Sequence, residues 1–185
     1  MIDEVLKDQK ARMKAAVEST AREMAVIRTG KASPALLDNL RVECWGGTHP
    51  IKQVAGISAP EPRLIVIQPF DPSTSEAVVR AIQKSDLGLQ ASVDGPVIRI
   101  PVPKLSDERR QELSRHVKKL AEQGKTAVRN VRRSGNDELH KARKNGDITE
   151  DQEYRGLGEI QEAADEAVAE IDRYLEAKET EILEV

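Results

Sequence analysis

Apolar residues recur along this chain in two rhythms. Near the start, Met13, Val17, Thr20, Met24 and Ile27 step by 4, 3, 4 and 3, with Leu6 one heptad earlier. That spacing predicts one face of a helix. Gly30 is expected to stop it, because glycine accepts the left-handed conformation at a helix end. The rhythm returns at Leu113, Val117, Leu120, Gly124, Ala127 and Val131, and runs on more loosely through Leu139 and Ala142. Ser106 is the predicted N-cap, and Asp107 and Glu108 suit the positive end of the helix dipole. Asn145-Gly146 should end this second helix. Thr149 and Gln152 then form a capping-box pattern that opens a third. Its stripe is Leu157, Ile160, Ala164, Val168, Ile171, Leu175 and Ile182.

The second and third helices come to roughly 40 and 35 residues, or about 60 and 52 Å. A short connection makes them antiparallel neighbours. The first helix, about 25 residues by the same count, brings a third apolar face. Three stripes on three helices predict an elongated antiparallel three-helix bundle from residues 1–30 and 105–185.

Residues 31–104 follow the other rhythm. "LRVECW" reads as a strand before a Gly-Gly turn, and "RLIVIQPF" as a strand with a continuous apolar centre. "STSEAVVRAIQKS" is helical in pattern after Asp71-Pro72. "SVDGPVIRIPV" holds an Asp-Gly turn and an alternating strand. This predicts a small, β-rich α/β domain inserted into the bundle, and an α+β fold class overall. Its connections, "TGKASP" and "PVPK", suggest a hinge of limited freedom.

Composition sharpens the picture. One third of the residues are charged, as suits long solvated helices on a narrow core. The aromatics are Trp45, Phe70, Tyr154 and Tyr174 alone, too few for a protein that grips single strands by stacking. The one cysteine, Cys44, is expected to pack on a strand. No apolar run reaches membrane-spanning length, and the N-terminus lacks a signal-peptide pattern. The expectation is a soluble, cytoplasmic monomer.

The formal charge of −3 hides a strong segregation. From Arg109 to Arg133, nine basic residues face only Glu112 and Glu122, a balance of +7. From Asp147 to Val185, fourteen acidic residues face Arg155, Arg173 and Lys178, a balance of −11. At about 100° per residue, the second helix's apolar stripe lies opposite Arg129. Around Arg129 gather Arg115, Lys118, Lys125, Arg132, Arg133, Asn136, His140, Arg143 and Lys144, with Glu122 the one acid among them. A helix surface built for stability alternates Glu with Lys; this one is nearly single-signed and self-repelling. Guanidinium forks pair bidentately with phosphate. The row therefore points to folded RNA read through its backbone and shape. An acidic protein partner on the same stripe is the rival reading, and an enzyme with its site in the α/β domain is a third.

Nothing supports that third reading by residue. Phosphate-loop and dinucleotide motifs are absent, and His49, His116 and His140 have no metal-ligand spacing. No general acid/base pair stands out, so neither an enzyme activity nor a cofactor is expected.

Five segments carry a resemblance: "IRTGKASPALLD" (Ile27–Asp38), "SDLGL" (Ser85–Leu89), "IRIPVPKLSDERR" (Ile98–Arg110), "AVRNVRRSGND" (Ala127–Asp137) and "GDITED" (Gly146–Asp151). In that order they resemble the ribosome recycling factor family, essentially end to end. The resemblance implies an L-shaped molecule with an outline like transfer RNA. It implies binding of the bundle to large-subunit ribosomal RNA after termination. With elongation factor G, and GTP hydrolysis by that partner, the subunits split and messenger and deacylated transfer RNA are released. By motif match the RNA-facing residues are Arg28, Arg110, Arg129, Arg132 and Arg133.

Some positions depart from the family pattern. Lys31 replaces a common arginine and loses its fork. "ECWGG" stands where a tyrosine pair is usual, and Gln90-Ala91 where Asn-Pro is frequent. Gly124 and Gly135 fall where alanine is expected, each at a cost of about 1 kcal/mol in a helix interior. They predict a locally softer second helix.

Overall fold

In a computed structural model of the protein, residues 2–184 are described. Along the chain come α1 (Ile2–Ala25), β1 (Arg41–Cys44), β2 (Gly47–Pro50), α2 (Ile51–Val54), β3 (Ala55–Glu61), β4 (Leu64–Pro69), α3 (Ser75–Lys84), β5 (Ser92–Asp94), β6 (Val97–Pro101), α4 (Asp107–Lys144) and α5 (Glu150–Leu183). Short 3-10 turns occupy Pro34–Leu37 and Pro72–Thr74. Residues 2–28 with 108–184 form one compact unit, and residues 29–107 another. No helix among the described residues is long and apolar enough to cross a membrane.

The first unit is the helical one. Helix α1 buries Leu6, Met13, Val17, Thr20 and Met24 of the predicted stripe and adds Gln9, whereas Ile27 lies beyond the helix end and is half-buried. It ends at Ala25 rather than at Gly30: a tightened last turn, with the Ile27 N–H on the Met24 carbonyl at 3.1 Å, closes it first. Helix α4 ends where expected. Gly146 is left-handed at φ +82°, the Asp147 N–H reaches the Ala142 carbonyl, and the Gly146 N–H reaches the Arg143 carbonyl, each at 2.9 Å. This is a Schellman closure. The capping box at Thr149 and Gln152 forms in both directions and opens α5.

Partner residues fix the helix directions. Along α4 and α5, Ser114 meets Glu179, Lys125 meets Asp172, Arg132 meets Gln161 and Arg143 meets Glu153. The numbers rise along one helix as they fall along the other, so the pair is antiparallel. Gln9 bonds Glu138, and Thr20 packs on Gly124, so α1 also opposes α4. The apolar side of α4 is broader than its predicted stripe: Ala121, Val128 and Gly135 are buried beside it, and Ala127 is only half-buried.

The glycines of α4 are points of close approach. A Cβ at Gly124 would overlap the Thr20 side chain, and one at Gly135 would lie 2.8 Å from Ile160 Cδ1 and 2.9 Å from Gln9 Cγ. The space that alanine would fill is already occupied. These positions are packed helix crossings, not the soft points that propensity alone suggests.

The second unit holds two antiparallel sheets: the β1–β2 hairpin, and four strands in the order β3-β4-β6-β5. Ile65 and Ile67 of β4 and Ile98 and Ile100 of β6 alternate onto a core that also takes Val78 and Ile82 of α3, with Leu37, Val42, Ile51 and Val54. Strand β3 was not apparent in the sequence pattern. In the first hairpin Cys44 pairs with Gly47, so the turn is Trp45-Gly46 and not Gly-Gly. Both turn residues have positive φ, 50° and 76°, as a type I′ turn requires. In the other hairpin Asp94 pairs with Val97, which makes Gly95-Pro96 the turn rather than Asp-Gly.

Candidate nucleic-acid interface

The cations of α4 do not form one uniform face. Helix α5 packs along one flank and neutralises it. Lys118 pairs with Glu179 at 3.1 Å, and Lys125 is held by Asp172 and Glu122. The Lys125 side chain is only 14% exposed. Its bond to Asp172, above all, raises the ammonium pKa above the ordinary lysine value, against the opposing effect of burial. Further on, His140 and Arg143 both meet Glu153, at 2.5 and 3.0 Å. Asn136, expected on the outer row, is half-buried with its Oδ1 enclosed.

Glu153 is the buried anchor of that flank, 5% exposed on α5. The bond from His140, then that from Arg143, holds its carboxyl below the usual glutamate range although burial opposes this. Sequence reasoning missed both Glu153 and Gln9 because they are polar. Their signal was positional: each continues the apolar rhythm of its own helix, Glu153 ahead of Leu157 and Gln9 between Leu6 and Met13.

The other flank stays open. Arg129 is exposed, and its nearest carboxylate, Glu122, lies 4.0 Å away with both side chains more than half in solvent. A pair of that kind is worth little. Arg133 is exposed, and among the described residues no group of its own chain engages it. Arg115 and Lys119 share this condition. Lys119 lies about 80° around the helix from Arg129; it belongs to the open flank and was missed because the expected face was centred too far toward α5.

Arg132 sits at the border. It is half-buried, and its Nη1 donates to Gln161 Oε1 at 3.0 Å. Gln161 in turn donates to Asp165 Oδ1 at 2.8 Å. A neutral amide thus orients the guanidinium while leaving its charge uncompensated. Arg28 is exposed just beyond α1, and Arg110 is half-buried near the start of α4. Of the five expected site residues, Arg129, Arg132 and Arg133 are brought together on α4.

The arrangement has no nucleophile or acid/base pair at its centre. What it offers is a rigid line of fixed positive charge on a 38-residue helix, which suits contact with a phosphate backbone.

The sequence model of the family described as Ribosome recycling factor matches residues 20–183. The ribosome-recycling factor of Halalkalibacterium halodurans is 51% identical over 185 residues, covering all of both chains. That of Rubrobacter xylanophilus is 48% identical over 180 residues, covering 97% of each. A solution structure of the ribosome recycling factor matches with a TM-score of 0.71 at 40% identity, over 100% of this chain and 98% of that one. A second match, with a TM-score of 0.64 at 40% identity and 99% of each chain, comes from models of the T. thermophilus ribosome recycling factor and E. coli elongation factor G bound to the E. coli post-termination complex.

Proposed function

The chain belongs to the ribosome recycling factor family, and from that premise we propose how its parts act on the post-termination ribosome. The protein binds that ribosome and, together with elongation factor G, splits the subunits. GTP hydrolysis belongs to the partner; this chain is not an enzyme. Messenger RNA and deacylated transfer RNA are freed for another round of translation. The observation that carries this reading is the end-to-end likeness to recycling factors, one of them placed with elongation factor G on a post-termination complex.

Arg129, Arg132 and Arg133, with Arg28 and Arg110, contact phosphates of large-subunit RNA. Support comes from the open flank of α4, where Arg129 has only a loose, solvent-exposed pairing with Glu122 and, among the described residues, no carboxylate engages Arg133. The helical unit acts as a stiff charged rod, and the unit of residues 29–107 as an arm on which the GTPase acts. Long helices locked by cross-helix pairs supply stiffness. The site of action is the cytoplasm, where the ribosome is.

The test is subunit splitting of post-termination complexes, followed by light scattering, with elongation factor G and GTP. Splitting should require this protein and should fail when GTP cannot be hydrolysed. Splitting of equal rate and extent without the protein would overturn the reading.

A further inference from the structure

Helix α5 meets the cations of α4 in two ways. Lys118, Lys125 and Arg143 each end on a carboxylate of α5: Glu179, Asp172 and Glu153 in turn. Arg132 faces the same helix and ends on an amide instead, donating to Gln161 Oε1 at 3.0 Å. The chain of bonds continues on α5. Gln161 Nε2 donates to Oδ1 of Asp165, one turn further along, at 2.8 Å.

This order of groups fixes which way the amide points. A guanidinium only donates, and a carboxylate only accepts. Gln161 satisfies both neighbours only with its oxygen toward Arg132 and its NH2 toward Asp165. Asp165 thereby sets the orientation of Gln161, and Gln161 sets that of Arg132. Without Asp165 the amide is free to turn its NH2 toward the guanidinium, where donor would face donor.

The neutrality of the amide matters as much as its direction. On this seam Glu179 and Asp172 bond Lys118 and Lys125 and compensate their charge. Gln161 occupies one N–H of Arg132 and leaves the charge uncompensated. The rest of the fork is free to meet a phosphate. A long side chain already held in place also loses less freedom when it binds.

We propose that Gln161 and Asp165 are positioning residues for RNA binding. Asp165 fixes the Gln161 amide, and the amide presents the Arg132 guanidinium with its charge unspent. This assignment rests on the reading that Arg132 contacts ribosomal RNA phosphate. The plainer alternative is a Gln–Asp pair that steadies α5 and nothing more. Both side chains are exposed, so substitution there leaves the helix crossing intact.

Binding of the full-length protein to vacant ribosomes is measured across a salt series for the parent, Arg132→Ala, Asp165→Ala, Asp165→Asn and Gln161→Glu. Asp165→Ala removes a negative charge from a protein that binds a polyanion, which by charge alone tightens binding. Loss of positioning has the opposite sign. Asp165→Ala should bind about threefold more weakly, the worth of one ordered long side chain, with the salt slope of the parent. Asp165→Asn keeps an Oδ1 that accepts the amide, so it should bind at least as tightly as the parent. Gln161→Glu sets a carboxylate on Arg132 and should flatten the slope by about one unit, as Arg132→Ala does. The proposal fails if Asp165→Ala binds as the parent does or tighter, if Asp165→Asn is as weak as Asp165→Ala, or if Gln161→Glu keeps the slope of the parent. Arg132→Ala with the affinity and slope of the parent would instead overturn the phosphate contact itself.

Discussion

Thr20 and Gly124 touch where α1 meets α4. A Cβ at position 124 would lie 3.0 Å from Thr20 Cγ2 and closer still to its hydroxyl oxygen, which is itself engaged with the Ala16 carbonyl at 2.9 Å. Helix propensity alone says that Gly124→Ala should stabilise by about 1 kcal/mol. The contact reverses the sign: overpacking of this kind costs about 1–3 kcal/mol. Urea denaturation should show Gly124→Ala less stable than the parent. Thr20→Ala in the same chain should recover part of the loss, since the hydroxyl and methyl that collide are gone while Cβ remains close. Full additivity of the two changes would show that they do not meet.

The open flank of α4 makes a second claim. Binding to vacant ribosomes across a salt series counts the phosphates that a protein neutralises. Arg133→Ala removes a cation that has no partner among the described residues, so it should weaken binding and flatten the salt slope by about one unit. Lys118→Ala is the control, because Glu179 already occupies that cation at 3.1 Å. Its slope should stay near that of the parent. Gln161→Ala leaves every charge on α4 in place but frees Arg132 from its 3.0 Å tether. It should weaken binding with the slope unchanged. Equal slopes for Arg133→Ala and the parent would remove Arg133 from the interface.

These cases show what the sequence could and could not say. The stripes of α1, α4 and α5 were legible because burial forces one residue type into a 3.6-residue period. The start and stop signals at Thr149 and Gly146 were legible because they are local chemistry. The flank of α4 that meets α5 was not: it depends on the rotation of two helices about their axes, which the bundle sets as a whole. Strand β3, "AGISAPE", was hidden because glycine, serine and proline dilute its alternation. The turn at Trp45-Gly46 was misplaced because Gly46-Gly47 is the better turn by propensity, and register overrode it.

Glu153 predicts a pH dependence. Its carboxyl ionises more readily in the folded chain than the ordinary value of 4.5, because His140 and then Arg143 bond it. A depressed folded value means that the unfolded chain takes up the proton first as pH falls. The stabilisation is therefore complete above the ordinary glutamate value and is lost as pH falls through the lower folded one. Glu153→Gln should be less stable than the parent at pH 7. The two stability curves should converge on acidification below about pH 4.5. A constant gap down to pH 3 would mean that the ionised carboxylate is not what ties α4 to α5 there.

Gly158 tests the packing argument from the other side. It lies in α5, within one turn of Gly156, and the two glycines look alike in sequence. A Cβ on Gly156 would sit 2.9 Å from Leu139 Cδ1, whereas one on Gly158 would meet nothing within 4 Å. Gly158 is exposed, so alanine there touches solvent, keeps the helical hydrogen bonds and restricts the unfolded chain. Gly158→Ala should therefore stabilise by about 1 kcal/mol. Gly156→Ala, two residues away, should not, because Leu139 must move to admit it. Thermal unfolding of the two single variants should shift in opposite directions from the parent. If both rise together, close approach at 156 does not govern this crossing, and the same argument fails at 124 and 135.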